Sequence, residues 1–134
     1  MSLLLAVTLW ATVIFPSGNY ITAELALTPA QWQRGLSGRK ELKSDQGMLF
    51  VFPEPSYQSF WMKDMKFSID IIWIDENFQI VGIEKNLPPC GETCPTYESP
   101  LPVKYVLEVK AGFSEREKLK EGDILIISFP SSAL

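Results

Sequence analysis

Histidine is absent from this sequence of 134 residues, and the absence removes several kinds of site. Histidine is the commonest metal-binding side chain and the usual general base near neutral pH. Catalytic Ser-His and Cys-His pairs and histidine-based zinc sites are therefore excluded. The two cysteines fall short of the four ligands that a structural zinc site normally takes, so we expect no metal and no cofactor.

Positive charge is also scarce. The net charge is -4, and no basic run is longer than the pair Arg39-Lys40. Proteins that bind nucleic acid neutralise its phosphates with clustered lysines and arginines. We therefore expect no nucleic-acid partner.

Long apolar runs are missing as well. The stretch from Met1 to Phe15 is too short to span a bilayer and lacks the basic start of a signal peptide. It runs directly into the turn-forming residues Pro16 to Asn19, which favours the first arm of a β-hairpin. We expect no transmembrane segment in this chain; a native signal or anchor could have been removed ahead of Met1.

Alternation of apolar and polar residues predicts most of the elements. Tyr20 to Leu27 alternates as a half-buried strand does and should pair with residues 10–15. Ile69 to Ile74 and Phe78 to Glu84 flank Asp75-Glu76-Asn77, which predicts a tight hairpin of two apolar strands. This hairpin is the strongest indication of a core.

Further strands are predicted on either side of this hairpin. Met48 to Phe52 and Ser59 to Met62 should be separated by a turn that the prolines of Pro53 to Ser56 fix. Val103 to Val109 alternates again, and Ile124 to Phe129 should form the last strand.

Two short helices and one irregular segment complete the prediction. Thr28 to Gln31 has the form of a capping box, and Gly35 should end that helix. Ser114 to Glu117 has the same form before Gly122, while the proline-rich segment Leu87 to Pro102 should be an irregular excursion. We therefore expect one mainly β domain over residues 1–134, a β-sandwich or partly closed barrel of about eight strands with two short helices.

Short motifs in a fixed order carry a resemblance to a known family. The motifs are Arg34-Gly35-Leu36 with Gly38-Arg39, Gly47 to Phe52, Phe60 to Lys63, Ile69 to Ile72 with Ile74-Asp75, and Tyr105 to Glu108 with Ala111-Gly112. Together they closely resemble the bacterial and archaeal family known as domain of unknown function 192, over roughly residues 12–129. The resemblance implies a small β-sandwich-like fold, often an export signal or lipid anchor in bacteria, and no assigned reaction.

Asp70 is the ionisable residue of most interest, because it interrupts an apolar strand. A buried carboxylate must be paired or neutralised. Asp70 could accept backbone N–H groups or pair with Lys63 or Arg39 to fix the fold, or it could serve in a functional site. Glu108, on the strand face opposite Leu107, is the candidate for a second carboxylate.

Other residues are candidates for ligand binding. Trp61 and Lys63 share one face of a predicted strand and could line a pocket, or else pack in the core and extend to solvent. Arg34 and Arg39 bracket a glycine-rich turn and could bind an anion, or else stabilise the end of a helix. Tyr97 is a further ligand-binding candidate.

Cys90 and Cys94 lie four positions apart in the proline-rich segment. They should form a small disulfide in an oxidising compartment; a reduced pair or a redox-active pair are the alternatives. Together with the family resemblance, this pair favours an extracytoplasmic location, although a cytoplasmic one remains open.

Three hypotheses for the function follow. The first is a non-catalytic extracytoplasmic module that binds a small molecule or partner in a cleft near Trp61, Lys63, Asp70 and the 87–102 segment. The second is a hydrolase-like enzyme that uses Asp70 with Lys63 or Arg39. The third is a structural protein of envelope assembly, which exposure of Tyr57, Phe60 and Tyr97 would favour.

Overall fold

The computed structural model describes residues 7–133, in which nine strands and two short α-helices follow one another. In chain order they are β1 (Trp10–Ile14), β2 (Tyr20–Ala26), α1 (Pro29–Arg34), β3 (Gln46–Ser56), β4 (Ser59–Trp61), β5 (Ile69–Ile74), β6 (Ile80–Leu87), β7 (Thr96–Glu98), β8 (Val103–Lys110), α2 (Phe113–Arg116) and β9 (Ile126–Ser128), followed by a 3₁₀ turn over Ser131–Ala133. Strand β1 confirms the first hairpin arm as far as it is described; residues 1–6 of the predicted arm lie outside the described residues.

Seven strands form one mixed sheet in the order β6-β5-β8-β3-β2-β1-β9, and β4 and β7 form a separate two-stranded ribbon. The two outer strands of the large sheet approach each other where β6 begins. Gln79 bridges to Ile124, and the Ile80 N–H donates to the Asp123 carbonyl over 2.8 Å. A continuous ladder does not close the sheet, so the architecture is a partly closed barrel. This confirms the predicted mainly β fold.

The large sheet buries both of its faces, and each face carries a separate apolar cluster. One cluster, the interior cluster, packs against α2; the other, the outer cluster, lies beneath α1 and β4. All six residues of β5 are buried, because its side chains point alternately into the two clusters. The interior cluster includes Val13, Ile21, Leu49, Ile72 and Leu107, and the outer cluster includes Met48, Phe50, Ile71, Trp73 and Val106.

Two sequence predictions about loops are wrong. Pro53 to Ser56 do not form a turn, since β3 continues through them to Ser56. The pairing of β3 with β8 is irregular between Val51 and Ser56, which tolerates prolines that cannot donate a ladder hydrogen bond. The segment from Leu87 to Pro102 is not wholly irregular either, because it contains β7, in which Tyr97 pairs with Phe60 of β4.

The first predicted capping box is present and the second is not. Thr28 accepts the Gln31 N–H over 3.3 Å, and the Gln31 side chain accepts the Thr28 N–H over 3.2 Å. Helix α2 instead begins after its N-cap residue Gly112, which has no side chain to accept a capping hydrogen bond. Ser114, the predicted cap, is instead a buried residue within the helix. Helix α2 ends at Arg116 rather than near Gly122.

Cys90 and Cys94 form a disulfide, as the favoured prediction had it. The half-buried Cys90 packs against the outer cluster together with Tyr97. The disulfide therefore fastens the segment that leads into β7 to the same side of the sheet as α1 and β4.

Candidate ligand-binding site

A cavity of about 330 Å³ opens to solvent between β3, β4 and α1 with the loop that follows it. Five of its fifteen lining residues are aromatic. Pockets for small molecules have volumes from about 300 Å³ upwards and combine apolar walls with a few polar groups, so this cavity has the size and character of such a site. The aromatic residues that line it are Trp32, Phe50, Phe52, Phe60 and Trp61.

Helix α1 holds Trp32 in its place at the cavity. The Trp32 indole N–H donates to the Ala26 carbonyl over 3.0 Å, and its ring lies 4.9 Å from that of Phe52 between centroids. Gly35 then ends the helix with a φ of 50°, a conformation that favours glycine. A Cβ at Gly35 would lie 3.4 Å from the Phe50 ring, so the backbone passes close over that side chain.

Strand β4 supplies the opposite wall. The Phe60 ring meets Phe50 edge-on at 4.8 Å and Trp73 edge-on at 5.7 Å between centroids. Edge-to-face contacts of this kind stabilise aromatic pairs beyond the area they bury. Phe60 is therefore held firmly although its strand has three residues, and Trp61 next to it is 54% exposed.

Glu108 reaches this cavity from β8, in the middle of the sheet. Its cross-strand neighbours on this face are Met48 of β3 and Ile71 of β5. The residue is 5% exposed, and within residues 7–133 no group donates a hydrogen bond to its carboxyl or lies opposite it as a counter-charge. Burial raises the pKa of Glu108 from 4.5 to about 8, so the carboxyl is protonated at neutral pH.

Asp70 is buried on the other face of the sheet. It pairs with Val109, a member of the interior cluster, whereas Glu108 faces the outer cluster. The Asp70 carboxylate accepts the backbone N–H groups of Asn86 over 2.9 Å, Gly112 over 3.4 Å and Ser114 over 2.9 Å. It thereby binds the first turn of α2, where acceptors are needed. Of the roles considered from the sequence, this geometry matches the acceptor of backbone N–H groups.

The structure does not bring the predicted cations to Asp70. Arg39 forms a bidentate ion pair with Glu24, with nitrogen–oxygen distances of 2.6 and 3.0 Å. The Lys63 ammonium lies 5.2 Å from the centroid of the Trp61 ring. The interpretation of Asp70 as a partner of Lys63 or Arg39 is thus not what the geometry shows.

The remaining candidates divide between the cavity and its surroundings. Arg34, exposed at the end of α1, lines the cavity with Trp61 and Glu108. Arg39, Lys63, Asp70 and Tyr97 are not among its lining residues. Tyr97 is half-buried against the outer cluster.

The aromatic residues considered for an assembly role differ in their exposure. Tyr57 and Trp61 are exposed, but Phe60 and Tyr97 are half-buried and pair across the β4–β7 ribbon. Exposure of Tyr57, Phe60 and Tyr97 was the feature that favoured an assembly role. Of these three residues, Tyr57 is exposed, whereas Phe60 and Tyr97 are half-buried.

Sequence reasoning missed the aromatic walls of the site. Trp32 lies in a six-residue helix without buried residues, and Phe50 and Phe52 read as ordinary core positions of a strand. An available signal was the spacing of Phe50 and Phe52, which places both on one face of a strand. Their convergence with Trp32 depends on where α1 packs.

A wider groove runs along Lys40 to Asp45 and Lys110. Its charged residues have both signs, and no buried ionisable group lines it. Among residues 7–133 no cluster of three metal-ligating side chains is found, and no described helix is long and apolar enough to cross a membrane. The cavity at Glu108 is therefore the stronger candidate site.

Comparisons with known proteins agree on the fold. A family model described as DUF192, Uncharacterized ACR, matches residues 12–127. The solved structure of a "putative transcription regulator" from Sinorhizobium meliloti 1021 is 33% identical, with a TM-score of 0.79, and the match covers 93% of this chain and 97% of that one. A protein of unknown function from Novosphingobium aromaticivorans DSM 12444 is 32% identical, also with a TM-score of 0.79, over 89% of this chain and 84% of the other.

A more distant structure shares the fold alone. A hypothetical protein from Synechocystis is 17% identical with a TM-score of 0.52, and the match covers 90% of this chain and 19% of that longer one. No curated protein matches the chain.

Proposed function

We propose that this chain, which belongs to the family known as domain of unknown function 192, binds a small organic molecule in the cavity between α1 and β4 without carrying out a reaction on it. The observation that carries the proposal is Glu108, a residue 5% exposed whose carboxyl has no hydrogen-bond partner among the described residues and lines a cavity that opens to solvent. A buried polar group without a partner costs free energy that a ligand can recover.

Binding without catalysis is favoured by the arrangement of the carboxyl groups. Asp70 has its acceptor capacity used by three backbone N–H groups and faces away from the cavity. Among the residues that line the cavity, no second carboxylate lies beside Glu108, so a pair of carboxyl groups acting as general acid and general base is missing there. The cavity can orient a molecule, but the residues around it offer no nucleophile paired with a base.

An extracytoplasmic location is part of the proposal. The Cys90–Cys94 disulfide indicates an oxidising environment, because such bonds are rare in reducing compartments. A role in gene regulation, as described for the Sinorhizobium relative, draws no support from the charge of this chain, which carries 12 basic and 16 acidic residues.

The four tryptophans allow a direct test. Trp32 and Trp61 line the cavity, whereas Trp10 and Trp73 do not, and Trp73 is buried against Phe60. A library of small organic fragments should be screened by NMR while the four indole N–H signals are followed. We expect binding fragments to shift the Trp32 and Trp61 signals much more than the Trp10 and Trp73 signals.

A variant adds the control for this screen. Trp32→Ala removes one wall of the cavity and should weaken the same fragments at least tenfold, while the Trp10 and Trp73 signals report that the fold persists. The proposal fails if no fragment binds, or if fragments shift Trp10 as strongly as the two cavity tryptophans.

A further inference from the structure

We propose that the ligand of this cavity is an organic cation, with its ammonium group held between the Glu108 carboxylate and the aromatic walls. The inference rests on the proposed function and deepens it by naming the class of ligand. It follows from the charges around the cavity and from the aromatic rings that line it.

Glu108 lies in a cross-strand row with two other acidic residues. Counting across the sheet, Glu24 is opposite Met48, Met48 opposite Glu108, Glu108 opposite Ile71, and Ile71 opposite Glu84. All five share one face, since residues paired across strands do. Glu24 has Arg39 as its partner, but within the described residues Glu108 has none.

The groups that surround Glu108 leave room for an external cation. Met48 and Ile71 flank it on its neighbouring strands. The charged residue that lines the cavity from α1 is Arg34, which is exposed, and β4 contributes no charged lining residue. A ligand cation could therefore supply the counter-charge that Glu108 requires once its carboxyl is ionised.

The aromatic walls favour the same kind of ligand. The faces of aromatic rings carry negative potential and attract ammonium groups within about 6 Å of the ring centroid. Trp61 already does so for a group of this chain, because the Lys63 ammonium stands 5.2 Å from its ring centroid. The rings of Trp32, Phe50 and Phe60 also line the cavity.

The charges also set the orientation of the ligand. Arg34 lines the cavity and is exposed, so its charge repels a positive group at the solvent side. The carboxyl of Glu108 lies at the buried side. The ammonium end should therefore point inward, and a neutral or anionic end should face Arg34.

Three small molecules of similar size separate the possible ligand classes. Choline is a permanent cation, 3,3-dimethyl-1-butanol is its neutral isostere, and 3,3-dimethylbutanoate is an anion. Affinities should be measured by NMR titration from pH 6 to pH 9. Because choline requires ionised Glu108, its affinity should rise by about tenfold per pH unit below pH 8 and then level off.

Two matched substitutions complete the experiment. Glu108→Gln should weaken choline at least tenfold at pH 8 and abolish the pH dependence, while leaving 3,3-dimethyl-1-butanol unchanged. Glu84→Gln makes the same change two strands away on the same face and should leave both affinities unaltered.

The outcomes distinguish this inference from the proposed function. Equal binding of choline and its neutral isostere at pH 8 would overturn the inference while the proposed function stands. Tighter binding of 3,3-dimethylbutanoate would do the same in favour of an anion. If no fragment of any charge binds at the cavity, the proposed function itself is wrong.

Discussion

At the scale of single residues, two buried carboxyl groups on opposite faces of one sheet have opposite roles. Asp70 is enclosed by backbone N–H groups, whereas Glu108 has no such partner in the described part of the chain. A hydrogen-bonded carboxylate holds a fold together, and a carboxyl without partners weakens it unless it is protonated.

The difference should appear in the pH dependence of stability. The pKa of Glu108 is about 8 in the folded protein and about 4.5 when unfolded, so the folded state binds more protons between these values. The contribution of Glu108 to stability therefore falls as the pH rises from about 5 to about 8. Compared with the unmodified protein, Glu108→Gln should be equally stable near pH 4 and more stable at pH 9, by up to about 5 kcal/mol.

Urea unfolding across this pH range measures the effect. Glu84→Gln, a half-buried residue on the same face, is the matched control and should follow the unmodified protein. A constant difference between Glu108→Gln and the unmodified protein at every pH would contradict the raised pKa.

Substitution of Asp70 should lower the stability of the protein, in contrast to substitution of Glu108. Asp70→Asn replaces one acceptor oxygen by an NH₂ group that faces an N–H donor, and should lower the free energy of unfolding by about 2–4 kcal/mol. Asp75→Asn is the control, because Asp75 accepts the Asn77 and Gln79 N–H groups in a turn near the surface. We expect it to cost less than about 1 kcal/mol.

Fragment binding separates stability from function in this variant. At a temperature where Asp70→Asn is still folded, its affinity for cavity fragments should equal that of the unmodified protein. Loss of binding in a folded Asp70→Asn protein would restore the hypothesis that Asp70 serves the site.

At the scale of elements, the sequence predicted the helix whose ends are fixed by residues within and next to it. The first helix follows from the capping box at Thr28 and from Gly35, and both features are present. The second helix does not use its apparent capping box, because Asp70, distant in sequence, accepts the Ser114 N–H instead. A tertiary contact of this kind has no signature within the helix itself.

The β4–β7 ribbon is the element that we expect to depend most on the disulfide. Each strand has three residues, and a two-stranded ribbon of that size is marginal in water by itself. Cys90→Ser combined with Cys94→Ser should lower the free energy of unfolding by about 2 kcal/mol, since the closed loop is short. Amide exchange should quicken in β4 and β7 and stay unchanged in β3 and β8.

Hydrogen–deuterium exchange checks this prediction, with Cys90→Ser and Cys94→Ser compared with the oxidised protein below its unfolding transition. Equal protection of the ribbon amides in both proteins would mean that Phe60 and Tyr97 fix the ribbon without the disulfide.

At the scale of the whole molecule, strand order and register decide whether Asp70 and Glu108 lie on the same face of the sheet. Alternation identifies Asp70 and Glu108 as carboxyl groups in apolar strands, but the register decides whether they meet. Asp70 lies opposite Val109 and Glu108 opposite Ile71, and an offset of one residue places them on opposite faces. The mainly β fold was therefore predictable, whereas the composition of the site was not.

The cavity itself also arises from long-range packing. Its walls come from α1, β3, β4 and β8, whose positions around one point are set by the sheet order and by the β4–β7 ribbon. Arg34, Trp61 and Glu108, which the sequence indicated as candidates, line this cavity. Binding of an organic cation by this cavity is the central claim.

A crystal structure of the protein with choline at pH 8.5 tests that claim most directly, because the whole surface is surveyed at once. We expect density for choline in the cavity, with its nitrogen about 4–6 Å from the Glu108 carboxylate and from an aromatic ring. A cavity that holds only water, or choline found in the groove along Lys40 to Asp45 instead, would contradict the account.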